Sequence, residues 1–81
     1  MTLVKLYTTL GCHLCDEAKH VAWPVLEHFN CRLVEVEIAN DEELVEAYGI
    51  RIPVLKCASA EGDIGWPFDQ HELADYLRRA L

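Results

Sequence analysis

The sequence is short of basic residues and of long apolar runs. Seven lysines and arginines stand against fourteen aspartates and glutamates, so the formal net charge is −7. Surfaces that bind nucleic acid or anionic lipid are usually basic, so this balance argues against both kinds of partner. No apolar run approaches the roughly 20 residues that a membrane-spanning helix needs. The first residues also lack the features of a signal peptide, so we expect a cytoplasmic protein.

Length and composition favour one globular domain over residues 1–81. A chain of 81 residues has no room for a second core of any size. Hydrophobic residues make up 52% and charged residues 26%, which is typical of a folded protein rather than a disordered one. The sequence shows no internal repeat, low-complexity segment or linker that would divide the chain.

The four cysteines are too few for a disulfide-dense secreted scaffold. Cys12 and Cys15 form a C-x-x-C motif, whereas Cys31 and Cys57 stand alone. In a reducing compartment, this motif indicates either redox chemistry or metal binding. We expect the two isolated cysteines to act as small apolar residues of the core.

The first half of the chain predicts a strand, a helix and a second strand. Residues 2–8 are β-rich and mostly apolar, which is typical of a buried central strand. Apolar residues then recur at helical spacing: Leu14, Ala18, Val21, Ala22, Val25, Leu26 and Phe29. Pro24 is expected to kink this helix, because the apolar period continues beyond it. Residues 32–38 alternate, with Val34, Val36 and Ile38 on one face and Glu35 and Glu37 on the other, which indicates a strand.

The second half predicts a short helix, two strands and a last helix. Asn40 is expected to cap the short helix, which should end at Gly49 in a left-handed conformation. Residues 52–57 and 64–66 predict the two strands. Asp69 and Glu72 predict a capping box at the start of the last helix. The residues of this helix expected to face inward are Leu73, Tyr76, Leu77 and Leu81.

The predicted order of elements is β-α-β-α-β-β-α. The first βαβ unit should cross over right-handed and place its two strands parallel. The last two strands should pair as an antiparallel hairpin. We therefore expect an α/β fold with one mixed four-stranded sheet packed by three helices.

The C-x-x-C motif lies where the first strand gives way to the first helix. A helix N-terminus carries partial positive charge and unpaired N–H groups, so the pKa of the Cys12 thiol should fall below its ordinary value of about 8.5. Cys15, about one turn later, can close a disulfide with Cys12. A protonated His13 would lower the pKa of Cys12 further, whereas Asp16 and Glu17 oppose this.

The motif could instead be half of a zinc site, completed by Cys31, Cys57 or a histidine. A structural zinc site usually offers a second close pair of ligands. The histidines form no such pair: His13, His20, His28 and His71. We therefore favour redox chemistry and expect no metal ligand, and an idle C-x-x-C is the other alternative.

The Cys12–Cys15 motif, Ile52-Pro53, Gly65 and Asp69 follow one another in an order that resembles the glutaredoxins, the smallest form of the thioredoxin fold. Residues 6–18 and 66–69 look most like a glutaredoxin-like branch, the DUF836 type. The resemblance covers essentially the whole chain. It implies a thioredoxin-like fold and a thiol–disulfide oxidoreductase in which Cys12 attacks a disulfide and Cys15 resolves the intermediate.

The resemblance also implies that the Ile52–Pro53 bond is cis and lies against the C-x-x-C motif. The backbone of Ile52 would then offer an edge to a substrate. The alternative is an ordinary trans proline at the start of an edge strand.

The sequence departs from the glutaredoxin pattern where glutathione would bind. Glutaredoxins usually carry a lysine in the region of Thr9 and a Gly-Gly pair where this chain has Gly65 and Trp66. Asp69 keeps the carboxylate that receives the amino group of glutathione. Arg51 could replace the missing cation, or it could be a solvated loop residue.

The candidate site therefore has two catalytic residues, Cys12 and Cys15, and six substrate-binding residues: His13, Arg51, Ile52, Pro53, Trp66 and Asp69. Trp66 could equally be a core residue, and Phe68 is expected to be one. We expect a monomer with no bound cofactor, a disulfide-containing protein or a glutathione mixed disulfide as partner, and glutathione as the candidate reductant. The alternative is a non-catalytic thioredoxin-fold module that holds zinc, an iron–sulfur cluster or a protein partner.

Overall fold

Seven elements follow one another along residues 2–81, the part of the chain that the computed structural model describes. They are β1 (Thr2–Thr8), α1 (His13–His28), β2 (Cys31–Glu37), α2 (Glu42–Tyr48), β3 (Val54–Cys57), β4 (Ile64–Gly65) and α3 (Gln70–Ala80). This is the predicted order, and α1 continues through Pro24 as the apolar period indicates.

The strands form one mixed sheet in the order β2-β1-β3-β4, which confirms the predicted architecture. β1 pairs parallel with β2 and antiparallel with β3, and β4 pairs antiparallel with β3. Because β1 and β2 are parallel, their carboxyl ends meet at the same edge of the sheet. The loop that carries Cys12 leaves the sheet at that edge.

The two faces of the sheet bury different side chains, because neighbouring residues of a strand point to opposite faces. One face packs against α1 and α3 and holds most of the core, including Val4, Leu6, Leu55, Leu73 and Leu77. The other face holds a smaller cluster, in which Tyr7, Ile38 and Val54 pack with Leu44 and Tyr48 of α2. No helix within residues 2–81 has both the length and the apolar character needed to cross a membrane.

Both ends of α2 differ from the prediction. The N-cap is Asp41 rather than Asn40, because its carboxylate accepts the backbone N–H groups of Glu43 at 3.0 Å and Leu44 at 3.3 Å. Gly49 has a right-handed conformation with φ of −51°, so the expected left-handed stop is wrong. A side chain at Gly49 would collide with the carbonyl oxygen of Val45, so close approach of the backbone explains the glycine.

Two leucines expected in apolar stripes are instead exposed. Leu14 in the first turn of α1 is 42% exposed, and Leu81 just beyond α3 is 51% exposed. Both lie at helix ends, outside the buried stretches that run from Cys15 to Leu26 in α1 and from Leu73 to Leu77 in α3. The capping box at α3 is confirmed, since Asp69 and Glu72 each accept the other's backbone N–H group.

Candidate active site

Cys12 is the N-cap of α1, and its sulfur lies over the first turn of the helix. The backbone N–H of Cys15 donates to the Cys12 Sγ at 3.2 Å. The two cysteines form a disulfide, with their Cα atoms 5.3 Å apart. The same N–H group and the helix N-terminus would stabilise a thiolate at Cys12 after reduction.

The two cysteines differ in their exposure to solvent. Cys15 is only 2% exposed, whereas Cys12 is half-buried. A disulfide substrate can therefore approach Cys12 more easily than Cys15. This difference supports the predicted roles of Cys12 as the attacking residue and Cys15 as the resolving residue.

A tight turn leads from β1 into the dithiol, and Glu37 at the end of β2 holds that turn. The N–H of Cys12 donates to the carbonyl of Thr9 at 3.2 Å, and Gly11 adopts φ of +80°, which favours glycine. The carboxylate of Glu37 accepts the N–H of Leu10 at 2.9 Å and that of Ala39 at 2.9 Å.

These contacts lower the pKa of Glu37. The hydrogen bond from the backbone of Ala39 contributes most, followed by one from the side chain of Thr9. Glu37 therefore carries its charge at neutral pH.

The sequence analysis placed Glu37 only on a strand face and did not assign it to the site. The available signal was that parallel strands end at one edge of the sheet, which puts the end of β2 beside the loop after β1.

A cavity of about 380 Å³ opens beside the dithiol. Its lining residues are Thr8, Thr9, Leu10, Gly11, Cys12, His13, Cys15, Asp16, Lys19, Glu35 and Glu37. The ammonium of Lys19 lies 3.0 Å from Glu35 and 3.4 Å from Asp16. The hydrogen bond to Glu35 is the main reason that the pKa of Lys19 is raised.

Of the predicted site residues, only Cys12, His13 and Cys15 line this cavity. The Ile52–Pro53 bond is cis, as the resemblance implies, and Pro53 is buried. The carbonyl of Pro53 accepts the N–H of Trp66 at 3.0 Å, at the start of a second cis bond, Trp66–Pro67, that was not predicted.

Three other predicted substrate-binding residues already have partners within the protein. Arg51 forms two hydrogen bonds to Asp63, at 2.6 and 3.2 Å. The carboxylate of Asp69 accepts the N–H of Glu72 at 2.7 Å. The ring of Trp66 packs edge-on against Phe68, with ring centroids 5.2 Å apart, and Phe68 is a core residue as predicted.

Cys31 and Cys57 are free thiols at the far end of the sheet. They lie beside Thr2 and Val4, near the start of β1, whereas Cys12 follows its end. At about 3.3 Å per residue, this separation keeps them away from the dithiol.

Within residues 2–81, no three His, Cys, Asp or Glu side chains are grouped so that they could hold a metal ion. The ligands suggested for a zinc site at Cys12 and Cys15 are therefore not assembled.

Residues 3–78 match the family described as Glutaredoxin-like domain (DUF836), and the chain belongs to this family. Membership supports a redox-type function within the thioredoxin superfamily. The chain is similar to the protein XcR50 from X. campestris at 33% identity. In its X-ray structure the match covers 96% of this chain and 99% of XcR50, with a TM-score of 0.81.

A second solved structure, of the protein Ne2328 from Nitrosomonas europaea, is similar in fold. Its identity to this chain is 24% and its TM-score is 0.80, and the match covers 93% of this chain and 89% of Ne2328. These likenesses confirm the glutaredoxin-like fold that the sequence predicts.

Proposed function

We propose that the protein is a thiol–disulfide oxidoreductase that reduces disulfides with Cys12 and Cys15. The observation that carries this proposal is the placement of the pair. A half-buried sulfur at the N-cap of α1 is bonded to a buried sulfur one turn later and opens on a cavity. A helix N-terminus favours the thiolate, which is the reactive form of cysteine.

In the proposed reaction, the Cys12 thiolate attacks one sulfur of a substrate disulfide. A bond forms between Cys12 and that sulfur, and the other substrate sulfur leaves as a thiolate and takes a proton from water. Cys15, as a thiolate, then attacks the Cys12 sulfur and releases the second substrate thiol. The substrate gains two electrons and the protein keeps the Cys12–Cys15 disulfide. A dithiol, or two molecules of a monothiol such as glutathione, returns it to the reduced state.

Single cysteine variants test this proposal. With a disulfide peptide, Cys15→Ser should accumulate a mixed disulfide on Cys12, because no resolving thiol remains. Cys12→Ser should form no such adduct and should lose turnover. Cys31→Ser is the matched control and should react as the wild type does, since Cys31 lies at the other end of the sheet. Intact mass and peptide mapping identify the adduct.

A Cys12→Ser variant that reduces disulfides at the wild-type rate would overturn the proposal. Intact mass measured under native conditions distinguishes the oxidoreductase from the alternative, a metal-binding module. A metal mass that is lost in Cys12→Ser, together with protection of both cysteines from alkylation, would favour that alternative.

A further inference from the structure

The cavity beside Cys12 is acidic. Three carboxylates line it, those of Asp16, Glu35 and Glu37, against the single ammonium of Lys19. That ammonium lies within 3.4 Å of two of these carboxylates, so its charge is already paired. A group that approaches Cys12 through this cavity therefore meets negative charge. Such a surface attracts cations and repels anions.

A second cavity, of about 580 Å³, continues along α1 and ends at an exposed tryptophan. Asp16 and Lys19 line both cavities, so the two form one surface that runs from the dithiol along the helix. At its far end, Trp23 is 62% exposed and lies beside His20 and Pro24. An exposed indole is a frequent anchor at protein interfaces, and its face also attracts lysine and arginine.

The candidate contacts for glutathione are engaged elsewhere. Glutathione carries two carboxylates and one ammonium, so it needs cations at the site. Arg51 is held by Asp63, Asp69 caps α3, and neither lines the cavity beside Cys12. Within residues 2–81, Lys19 is the one lysine or arginine that lines this cavity, together with His13, and its ammonium is bound to Glu35 and Asp16.

We infer that the preferred substrate is a disulfide in a basic polypeptide, which lies along α1 from Cys12 to Trp23. This inference rests on the proposed oxidoreductase function. The acidic cavity receives basic side chains next to the substrate disulfide, and Trp23 contacts the same polypeptide further along. The anionic tripeptide glutathione lacks both the charge and the length to use this surface.

The test compares two disulfide peptides of equal length, one with lysine and arginine around the disulfide and one with glutamate. The reduced protein should react at least about tenfold faster with the basic peptide than with the acidic peptide or glutathione disulfide at low salt. The ratio of the two peptide rates should fall as salt screens the charges. Stopped-flow kinetics of a single turnover measure this ratio on the wild-type protein.

Two variants locate the preference on the proposed surface. Glu35→Gln should lower the ratio of basic to acidic peptide rates, and using the ratio cancels any change in the reactivity of Cys12 itself. Trp23→Ala should slow the reaction with the basic peptide about threefold, because an aromatic contact is lost. Glu61→Gln, which makes the same charge change in the loop between β3 and β4, is the matched control and should change nothing.

The outcomes separate this inference from the proposed function. Equal rates with the two peptides, or faster reduction of glutathione disulfide than of the basic peptide, would overturn the inference and leave the oxidoreductase standing. A ratio that changes as much in Glu61→Gln as in Glu35→Gln would also overturn it. Reduction of none of the three disulfides would instead remove the proposed function.

Discussion

Glu37 shows how one side chain links the sheet to the reactive loop. It lies on β2, yet it accepts hydrogen bonds from Leu10 in the loop after β1 and from Ala39 beyond β2. These contacts stabilise the charged form of the carboxyl group and so lower its pKa. The contribution of Glu37 to stability is therefore full above the ordinary glutamate pKa of about 4.3 and is lost as pH falls through the lowered pKa of the folded state.

We predict that Glu37→Gln removes part of the acid sensitivity of the fold. The variant should be less stable than the wild type near pH 7, because it loses charge-assisted hydrogen bonds to the loop. The difference in the free energy of unfolding should shrink as pH falls below about 4, where the wild-type carboxylate becomes protonated. Urea unfolding at a series of pH values measures this. A difference that stays constant across the series would show that the charge of Glu37 is unimportant.

At the scale of elements, a capping box and two buried leucines hold α3 in place, and both features were predicted from the sequence. Its capping box and its buried residues Leu73 and Leu77 were predicted, whereas Leu81 is exposed. Leu77 is completely buried against the sheet, and Leu81 lies one turn further along. The two leucines therefore form a matched pair for testing where packing ends.

We predict that Leu77→Ala lowers the free energy of unfolding by about 2–5 kcal/mol, because it removes buried methyl groups and leaves a cavity. Leu81→Ala should change it by less than about 0.5 kcal/mol, as expected for an exposed position. Urea unfolding of both variants measures the difference. Similar losses in the two variants would mean that the end of α3 packs more tightly than the structure shows.

The N-cap of α3 gives a second prediction for this element. Asp69→Ala should lower the free energy of unfolding by about 0.5–2 kcal/mol, because the N–H of Glu72 loses its acceptor. Asp69→Asn should retain most of the stability, since asparagine caps helices about as well as aspartate does. Thermal unfolding compares the three proteins. Equal stability of Asp69→Ala and the wild type would contradict a capping role and would leave the carboxylate available for a ligand.

At the scale of the whole molecule, the four cysteines fall into two groups at opposite ends of the sheet. Cys12 and Cys15 form the dithiol, while Cys31 and Cys57 lie near the start of β1 and are free. Burial is the main reason that the pKa of Cys31 is raised, and Cys57 is completely buried. Cys12, Cys31 and Cys57 therefore lie in three different environments, and each should react at a different rate with an alkylating reagent.

We predict that the reduced native protein is alkylated first at Cys12, then at Cys31, and at Cys57 only after unfolding. Cys31 should react slowly at neutral pH, because a raised pKa leaves less of the reactive thiolate. The oxidised protein should contain only the bond between Cys12 and Cys15. Peptide mass mapping over a time course measures both. A disulfide between Cys31 and either active-site cysteine would contradict the separation of the two groups.

The sequence alone determined the order of the elements, the mixed sheet, the position of the dithiol at the start of α1 and the capping box at Asp69. These features depend on local patterns, namely the period of apolar residues, turn residues and the spacing of two cysteines. The same local patterns placed the N-cap of α2 wrongly at Asn40 instead of Asp41, because neighbouring polar residues compete for the same cap.

Only the tertiary structure decided which side chains meet at the site. Glu37 reaches the loop before Cys12 because β1 and β2 are parallel, and Arg51 is held by Asp63 across a distance that no local pattern encodes. The physical reason is the same in each case: electrostatics and access at a site depend on residues far apart in the chain, and only folding brings them together.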